Sequence, residues 1–384
     1  MGFSFVYCVV CGCPFDIPPR DEVFDEEHNW ASEDPLEDET KQWLCRIRLI
    51  GATSSLEKFT TPPFRMPRNE STTPGLFISD LADWSITEGL YFRLGGSSYR
   101  VLSSAKDTED ILFPLHDGCL TILQHVLTWR ARLSPEGGSP PGLTSAYKAL
   151  CSQFACNVQE KRRMAKESGF YGSTDYMEYG LEFDHGYYGA RKFWVSEGWE
   201  PTKTNEWYCN DPINIHDLPD FIWALLAEEP PEDGREESTE SNTNLEVSNL
   251  KKPLRSGLEQ LPREILDFVA SFLPTQSTLR LRMCSKTLMS RIILDQQFWR
   301  RQLLDGCVAP HAWELGDVDR YSKTPIAPND KTLGHHNWEG LVRKLAQRDH
   351  IIKEDESMPP PPWGLRNRCR IWALATRLVT TSES

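Results

Sequence analysis

The sequence predicts an α+β protein built in separable parts, and three stretches carry that reading. "EGLYFRLGGSSYRVL", residues 88–102, sets apolar and aromatic runs on either side of Gly95-Gly96-Ser97, the pattern of a β-hairpin. "ILFPLHDGCLTILQHVLTWRARL", residues 111–133, switches to helical spacing, with Leu120, Leu123, Val126 and Leu127 on one side. "EEPPEDGREESTESNTNLEVSN", residues 228–249, has only Leu245 and Val247 to bury and cannot offset its chain entropy, so it reads as disordered. The expected layout is a mixed N-terminal domain over residues 1–227, an acidic linker over 228–256, a compact three-helix unit over 257–304, and a small, mostly helical or irregular region over 305–384.

The elements follow in chain order. The opening "MGFSFVYCVVCGCPF" lacks the basic start and small-residue cleavage site of a secretory signal. Val6 stands where a myristoylation motif wants Ser or Thr. Residues 16–40 hold eleven acids and one Arg, which predicts an exposed loop. Leu44–Ile50 suits either strand or helix. After the hairpin and the helix of residues 111–133, "SPEGGSPPG" breaks the chain. "LTSAYKALCSQFACNVQEKRRMAKESG" then predicts a helix stopping near Gly169, and "DLPDFIWALLAEE" another starting at Pro219.

Composition narrows the function classes. No run of about 18 apolar residues is present, so no membrane-spanning helix is expected. Eleven cysteines, odd in number and irregularly spaced, do not form a disulfide framework, and a reduced protein of cytoplasm or nucleus is expected. The net charge of −14 divides into +6 from Leu250 onward and −20 before it, a balance that disfavours nucleic acid as a partner.

"LPREILDFVASFLP", residues 261–274, announces its own helix. Pro262 suits the first helical position and Glu264 the N-terminal dipole, while Ile265, Leu266, Val269, Phe272 and Leu273 form one stripe. Thr275 and Ser285 are candidate caps for two further short helices. Each fully covered Leu or Phe contributes roughly 1.5–3 kcal/mol, yet about 45 residues cannot cover most of theirs. Such a unit wants another surface.

These residues resemble the F-box family. The matching marks are Leu261-Pro262, Glu264-Ile265-Leu266, Val269, Phe272-Leu273, Leu279, Leu281, Cys284-Ser285-Lys286 and Phe298-Trp299. Thr278, where the family usually has an apolar residue, and Leu288, where it often has Trp, depart from the pattern. The resemblance implies that the helices dock on a Skp1-type adaptor and tether a protein substrate to a cullin-RING (SCF) ubiquitin ligase core. It also implies an adaptor-binding face of Leu261, Pro262, Ile265, Leu266, Val269, Leu279, Cys284 and Trp299. The plainer alternative is that these side chains form a core with residues 305–384.

A second constellation lies near the start. Cys8-x-x-Cys11, with Cys13 beyond, and His116-x-x-Cys119 a hundred residues later are two ligand pairs that could close a tetrahedral Cys3His site around a structural zinc. His116 and Cys119 would share a helix face through their i, i+3 spacing. The whole chain also looks like a group of filamentous-fungal F-box proteins that open with CxxCG and carry FP-x-H-x-x-C later. Two other readings stand beside zinc: "FSFVYCVV" as a buried strand with Cys8 as a small apolar residue, and a redox CxxC.

Catalytic signatures are missing. The chain has no G-x-S-x-G, no P-loop, no G-x-G-x-x-G and no H-E-x-x-H. Adjacent Asp184 and His185 point apart in extended chain, and His335-His336 suits a loop. Trp194, Trp199, Trp207 and Tyr208 suit a core or a recognition groove. "SMPPPPWGL", residues 357–365, reads as a polyproline spacer or ligand before "RNRCRIWALATRLV", an amphipathic helix closing the last domain. The function expected is therefore a non-catalytic F-box substrate adaptor. A metal-dependent enzyme, or an F-box protein working with Skp1 outside the ligase, is the alternative.

Overall fold

The computed structural model describes residues 6–13, 15, 39–52, 75–84, 90–102, 111–133, 142–168, 206–228, 257–316, 336–353 and 358–381. Residues 16–38 and 229–256, which hold most of both acidic stretches, lie outside the described residues, as do Asp184, His185, Trp194, Trp199 and His335.

The chain forms two compact units that cut across the expected boundaries. One joins Met1–Ile215 to Trp363–Ser384, and the other is His216–Pro362. The C-terminal helix, Trp363–Thr381, therefore belongs with the N-terminal residues and not with a separate region over 305–384. Helical periodicity shows that a helix has a buried side but not what buries it. Leu365, Cys369, Ile371, Trp372, Ala375 and Val379 are all fully covered.

In the first unit, β1 (Ile47–Ala52) is the centre of an antiparallel sheet between β2 (Leu76–Ile78) and β5 (Phe113–His116). Ile50 faces both Ile78 and Phe113, and Ile47 faces His116. The ambiguous Leu44–Ile50 stretch divides: Gln42–Cys45 is a 3-10 turn and the strand starts at Ile47. Gly51 permits close approach, since a Cβ there would lie 2.5 Å from Leu112 Cδ2.

The hairpin pairs β3 (Tyr91–Leu94) with β4 (Ser97–Arg100). Gly95 and Gly96 turn it with φ of 52° and 86°, a left-handed pair that favours glycine at both positions, and Ser97 already belongs to the strand. Helix α1 (Asp117–Leu133) follows β5 directly, and α2 (Leu143–Ser168) ends one residue before Gly169. Both pack on the C-terminal helix, where Trp129 meets Trp372 edge-on with ring centroids 6.1 Å apart.

The second unit is helical: α3 (Leu218–Glu228), α4 (Arg263–Phe272), α5 (Thr275–Met283), α6 (Lys286–Arg291), α7 (Gln296–Leu304), α8 (Trp338–Ala346) and α9 (Arg348–Lys353). Leu266, Ala270, Leu288 and Ile292 form a buried cluster, backed by Leu261, Leu281 and Leu294. The helix starts differ in part from expectation. Pro262 occupies the cap position, with its carbonyl accepting from Ile265 and Leu266, because its ψ of 150° is extended and not helical. Pro274 caps α5 in the same way, which leaves the Thr275 hydroxyl to bond Gln302 Oε1 at 2.8 Å. Ser285 does cap α6, accepting from Leu288 N at 3.1 Å, and Asp295 caps α7.

Both departures from the F-box pattern point inward: Leu288 is 3% exposed and Thr278 fully buried. The Thr278 hydroxyl reaches the carbonyls of Ala270, Leu273 and Pro274 only at 3.4–3.5 Å. Each carbonyl already has another donor: Leu273 N, Gln302 Nε2 and Thr278 N respectively. Thr278→Val should therefore leave stability within about 1 kcal/mol of wild type, at or above it. Chemical denaturation followed by the second unit's signal checks this, and a loss well beyond that range would show the hydroxyl to be essential.

Candidate metal centre and exposed helical face

A glycine turn builds the first half of the metal centre. Cys8 N donates to Cys13 O and Gly12 N to Cys8 O, with Gly12 at φ 73°, so the chain wraps round the Cys11 sulfur. Cys13 N donates to that sulfur at 3.4 Å. Val9 N donates to Pro114 O, laying this knuckle against β5.

The strand-to-helix junction supplies the other half. His116 ends β5 and Cys119 lies in the first turn of α1, so they converge across the junction and not along one helix face. Gly118 between them lets Trp43 and Ile213 approach, for a Cβ there would meet Ile213 Cγ1 at 3.1 Å and Trp43 Cε3 at 3.6 Å. The His116 ring lies between Phe15 and Trp43, with centroids at 4.8 and 4.7 Å.

Cys8, Cys11, His116 and Cys119 are all fully buried, and their ligand atoms lie within 4.8 Å of one another. His116 Nδ1 is 3.4 Å from Cys11 Sγ and 3.9 Å from Cys119 Sγ. A tetrahedral zinc, with bonds of about 2.3 Å to sulfur and 2.0–2.1 Å to nitrogen, separates such atoms by about 3.6–3.8 Å, so the cluster fits a metal of that size. The thiols perturb one another strongly. Burial works against ionising Cys8, but hydrogen bonds from Cys11 and Cys119 and the His116 charge together hold its thiol well below the usual range. Burial pushes Cys11 and Cys119 up. Cys13 is pushed down to about 6, by its hydrogen bond with Cys11 and by the Arg370 charge.

Cys13 stands outside this set. Its sulfur donates to Tyr208 O at 3.7 Å and accepts from Arg370 Nη2 at 3.3 Å. Trp207 and Tyr208 stack on each other at 4.1 Å, with Arg366 over the first and Arg370 over the second, a packed arrangement and not an open groove. Cys209 and Cys369 are buried, Cys307 is half-buried, and Cys151 and Cys156 share no cluster. Pro361 and Pro362 are buried, which removes half of the proline run from the reach of a ligand-binding domain.

The other feature is the outer side of the short helices. Of the twelve large hydrophobic residues exposed among those described, eight fall between Leu258 and Ile293, so exposure concentrates on this unit. Ile265, Phe268 and Phe272 are 45, 62 and 72% exposed and follow helical spacing along α4, and Met283 is 82% exposed. Phe268 and Phe272 meet edge-on at 4.7 Å.

Helix α4 thus has two apolar faces, and the face expected from sequence mixes them. Pro262, Ile265, Leu279 and Cys284 point outward, and Leu261 and Val269 are half-buried. Leu266 and Trp299 are core residues, fully buried and 8% exposed. Periodicity detects apolar positions without telling an inner face from an outer one. Phe268, absent from the expected face, stands three residues after Ile265 and four before Phe272, the spacing of one helical stripe. Among the described residues no helix is long and apolar enough to cross a membrane.

Residues 258–300 match the family model of the F-box domain. No curated protein matches the chain, and no solved structure does. The chain carries an F-box domain, and among the described residues most of the exposed large apolar side chains fall within that match.

The ligand set is open to direct test by cobalt titration of the full chain. Cobalt should give the visible bands of a tetrahedral thiolate site. Cys8→Ser, Cys11→Ser, Cys119→Ser or His116→Ala should abolish that spectrum or lower its intensity severely, whereas Cys13→Ser should keep it. Loss of the spectrum in Cys13→Ser alone would reassign the fourth ligand.

Proposed function

We propose that this F-box protein is a substrate-recognition adaptor, binding a Skp1-type adaptor through the outer face of α4–α6 and bringing a protein substrate to a cullin-RING ubiquitin ligase. The observation that carries the reading is the exposure of Ile265, Phe268 and Phe272 along α4, and of Met283 in α5, inside the F-box match. An apolar patch of this kind on a small helical unit marks an interaction site. Aromatic anchors at helical spacing suit a helical partner groove. The face takes in Pro262, Ile265, Phe268, Phe272 and Leu279, with Leu261, Val269 and Cys284 beside them, while Leu266 lies in the buried cluster on the inner side of α4 and Trp299 is buried in α7.

The first unit holds zinc as a structural metal and supplies the recognition module. Four protein ligands, each without solvent exposure, close the coordination sphere and leave no open position for a reacting water. That geometry favours the adaptor over a metal-dependent enzyme. An adaptor of this kind works in the reducing cytoplasm or nucleus, where its thiols stay available to metal.

Titration of the full chain with purified Skp1-type adaptor tests the reading. Phe268→Ala with Phe272→Ala removes two anchors without touching the core cluster, and should weaken Kd by at least about 30-fold, the effect of losing one hot spot of 2 kcal/mol. Leu266→Ala should instead destabilise the helical unit itself by about 2–5 kcal/mol. Unchanged affinity in the double variant, or no binding by wild type at micromolar concentration, would contradict the proposal.

A further inference from the structure

The C-terminal helix brings a buried cation to the edge of the metal centre. Arg370, 6% exposed, donates from Nη1 to the carbonyl of the ligand Cys11 at 2.7 Å and from Nη2 to Cys13 Sγ at 3.3 Å. Its Nε and Nη2 both reach Asn367 Oδ1, at 3.3 and 3.0 Å, and its guanidinium lies 4.4 Å from the Tyr208 ring centroid. Asn367, itself fully buried, donates to the carbonyls of Tyr208 and Asn210 at 2.9 and 2.8 Å. One side chain thus ties the helix to the N-terminal knuckle, and its neighbour ties it to the 206–210 turn.

Charge gives this contact a purpose. Three thiolates and a neutral imidazole around a divalent ion would give the four-ligand set one net negative charge, fully buried and next to the Cys13 sulfur that Arg370 also holds. A buried anionic centre and a buried guanidinium each carry a desolvation penalty, and each offsets the other's. The backbone carbonyl and the sulfur that Arg370 holds both belong to the turn that wraps the metal ligands.

We infer that Arg370 is the counter-charge of the metal centre, so that loading of Cys8, Cys11, His116 and Cys119 with a divalent metal and seating of the C-terminal helix on the N-terminal knuckle are one coupled event. Arg370 is a positioning residue and not a ligand. The inference rests on the reading of the cluster as a zinc site and adds what that site does: it fastens the two ends of the chain together in the first unit.

Zinc competition with a chromogenic chelator, run on the full chain, tests this. Wild type should hold one zinc. Arg370→Met, which keeps length and removes charge, should bind it about 10–100-fold more weakly, the range for loss of an outer-shell partner. Arg370→Lys should recover part of that loss, which a purely packing role would not produce. Hydrogen exchange on unmutated protein supplies a second arm independent of any variant's folding: stripping zinc should raise exchange in Trp363–Thr381. Equal zinc affinity in wild type and Arg370→Met overturns the coupling while the zinc reading stands, as does Arg370→Lys no tighter than Arg370→Met, or exchange in the helix unaltered by stripping. A wild type that holds no zinc overturns both, and that failure is visible before any variant is made.

Discussion

The short helices of the F-box cannot bury both of their apolar faces, and the second unit is organised around that shortage. Arg263–Phe272 is ten residues long, yet it carries Leu266 and Ala270 inward and Ile265, Phe268 and Phe272 outward. The inner cluster of Leu266, Ala270, Leu288 and Ile292 packs α4 against α6 and the residue that follows it. Polar side chains fasten the rest: Arg291 donates to the carbonyls of Glu259 and Leu261, and Gln302 bridges Thr275 to Leu273. What remains outside is an apolar stripe along α4, with Phe268 and Phe272 in edge-on contact and both exposed.

The first unit meets a different difficulty, since its core is assembled from segments far apart in the chain. The knuckle at Cys8–Cys13, the junction at His116–Cys119, the turn at Trp207–Cys209 and the C-terminal helix all converge on one region. Trp43 donates to the Cys209 carbonyl at 2.7 Å, Arg370 to the Cys11 carbonyl, and Arg368 to the carbonyls of Pro212 and Ile213. Closing loops of a hundred residues or more is entropically unfavourable, and these long-range hydrogen bonds join segments that the sequence keeps far apart. The second unit, F-box included, is an insertion within the first in sequence terms, running from His216 to Pro362.

Local features were legible in the sequence where one short segment determines them. The Gly95-Gly96 hairpin, the helix ending before Gly169, the Ser285 cap and the F-box marks each depend on a few neighbouring residues. The cysteine and histidine pairs were legible because metal chemistry demands close spacing within each pair. Residue types and spacing did not reveal what joins distant segments. The C-terminal helix looked like the close of its own domain, since "RNRCRIWALATRLV" shows a buried side without naming its partner. Arg370 and Asn367 gave no signal at all, being ordinary polar residues until the fold sets them beside Cys11 and Tyr208. The adaptor-binding face that the F-box resemblance implies takes in Leu266 and Trp299, both buried in the free chain, since a family motif marks apolar positions without dividing them between an inner and an outer face.

Radical footprinting of the full chain with and without saturating Skp1-type adaptor bears most directly on the outward face of the F-box. Phe268, Phe272 and Met283 should label readily in the free protein, as their exposure of 62, 72 and 82% requires, and should become protected in the complex. Labelling of those three side chains that stays the same at saturation would contradict the assignment of that face to the partner.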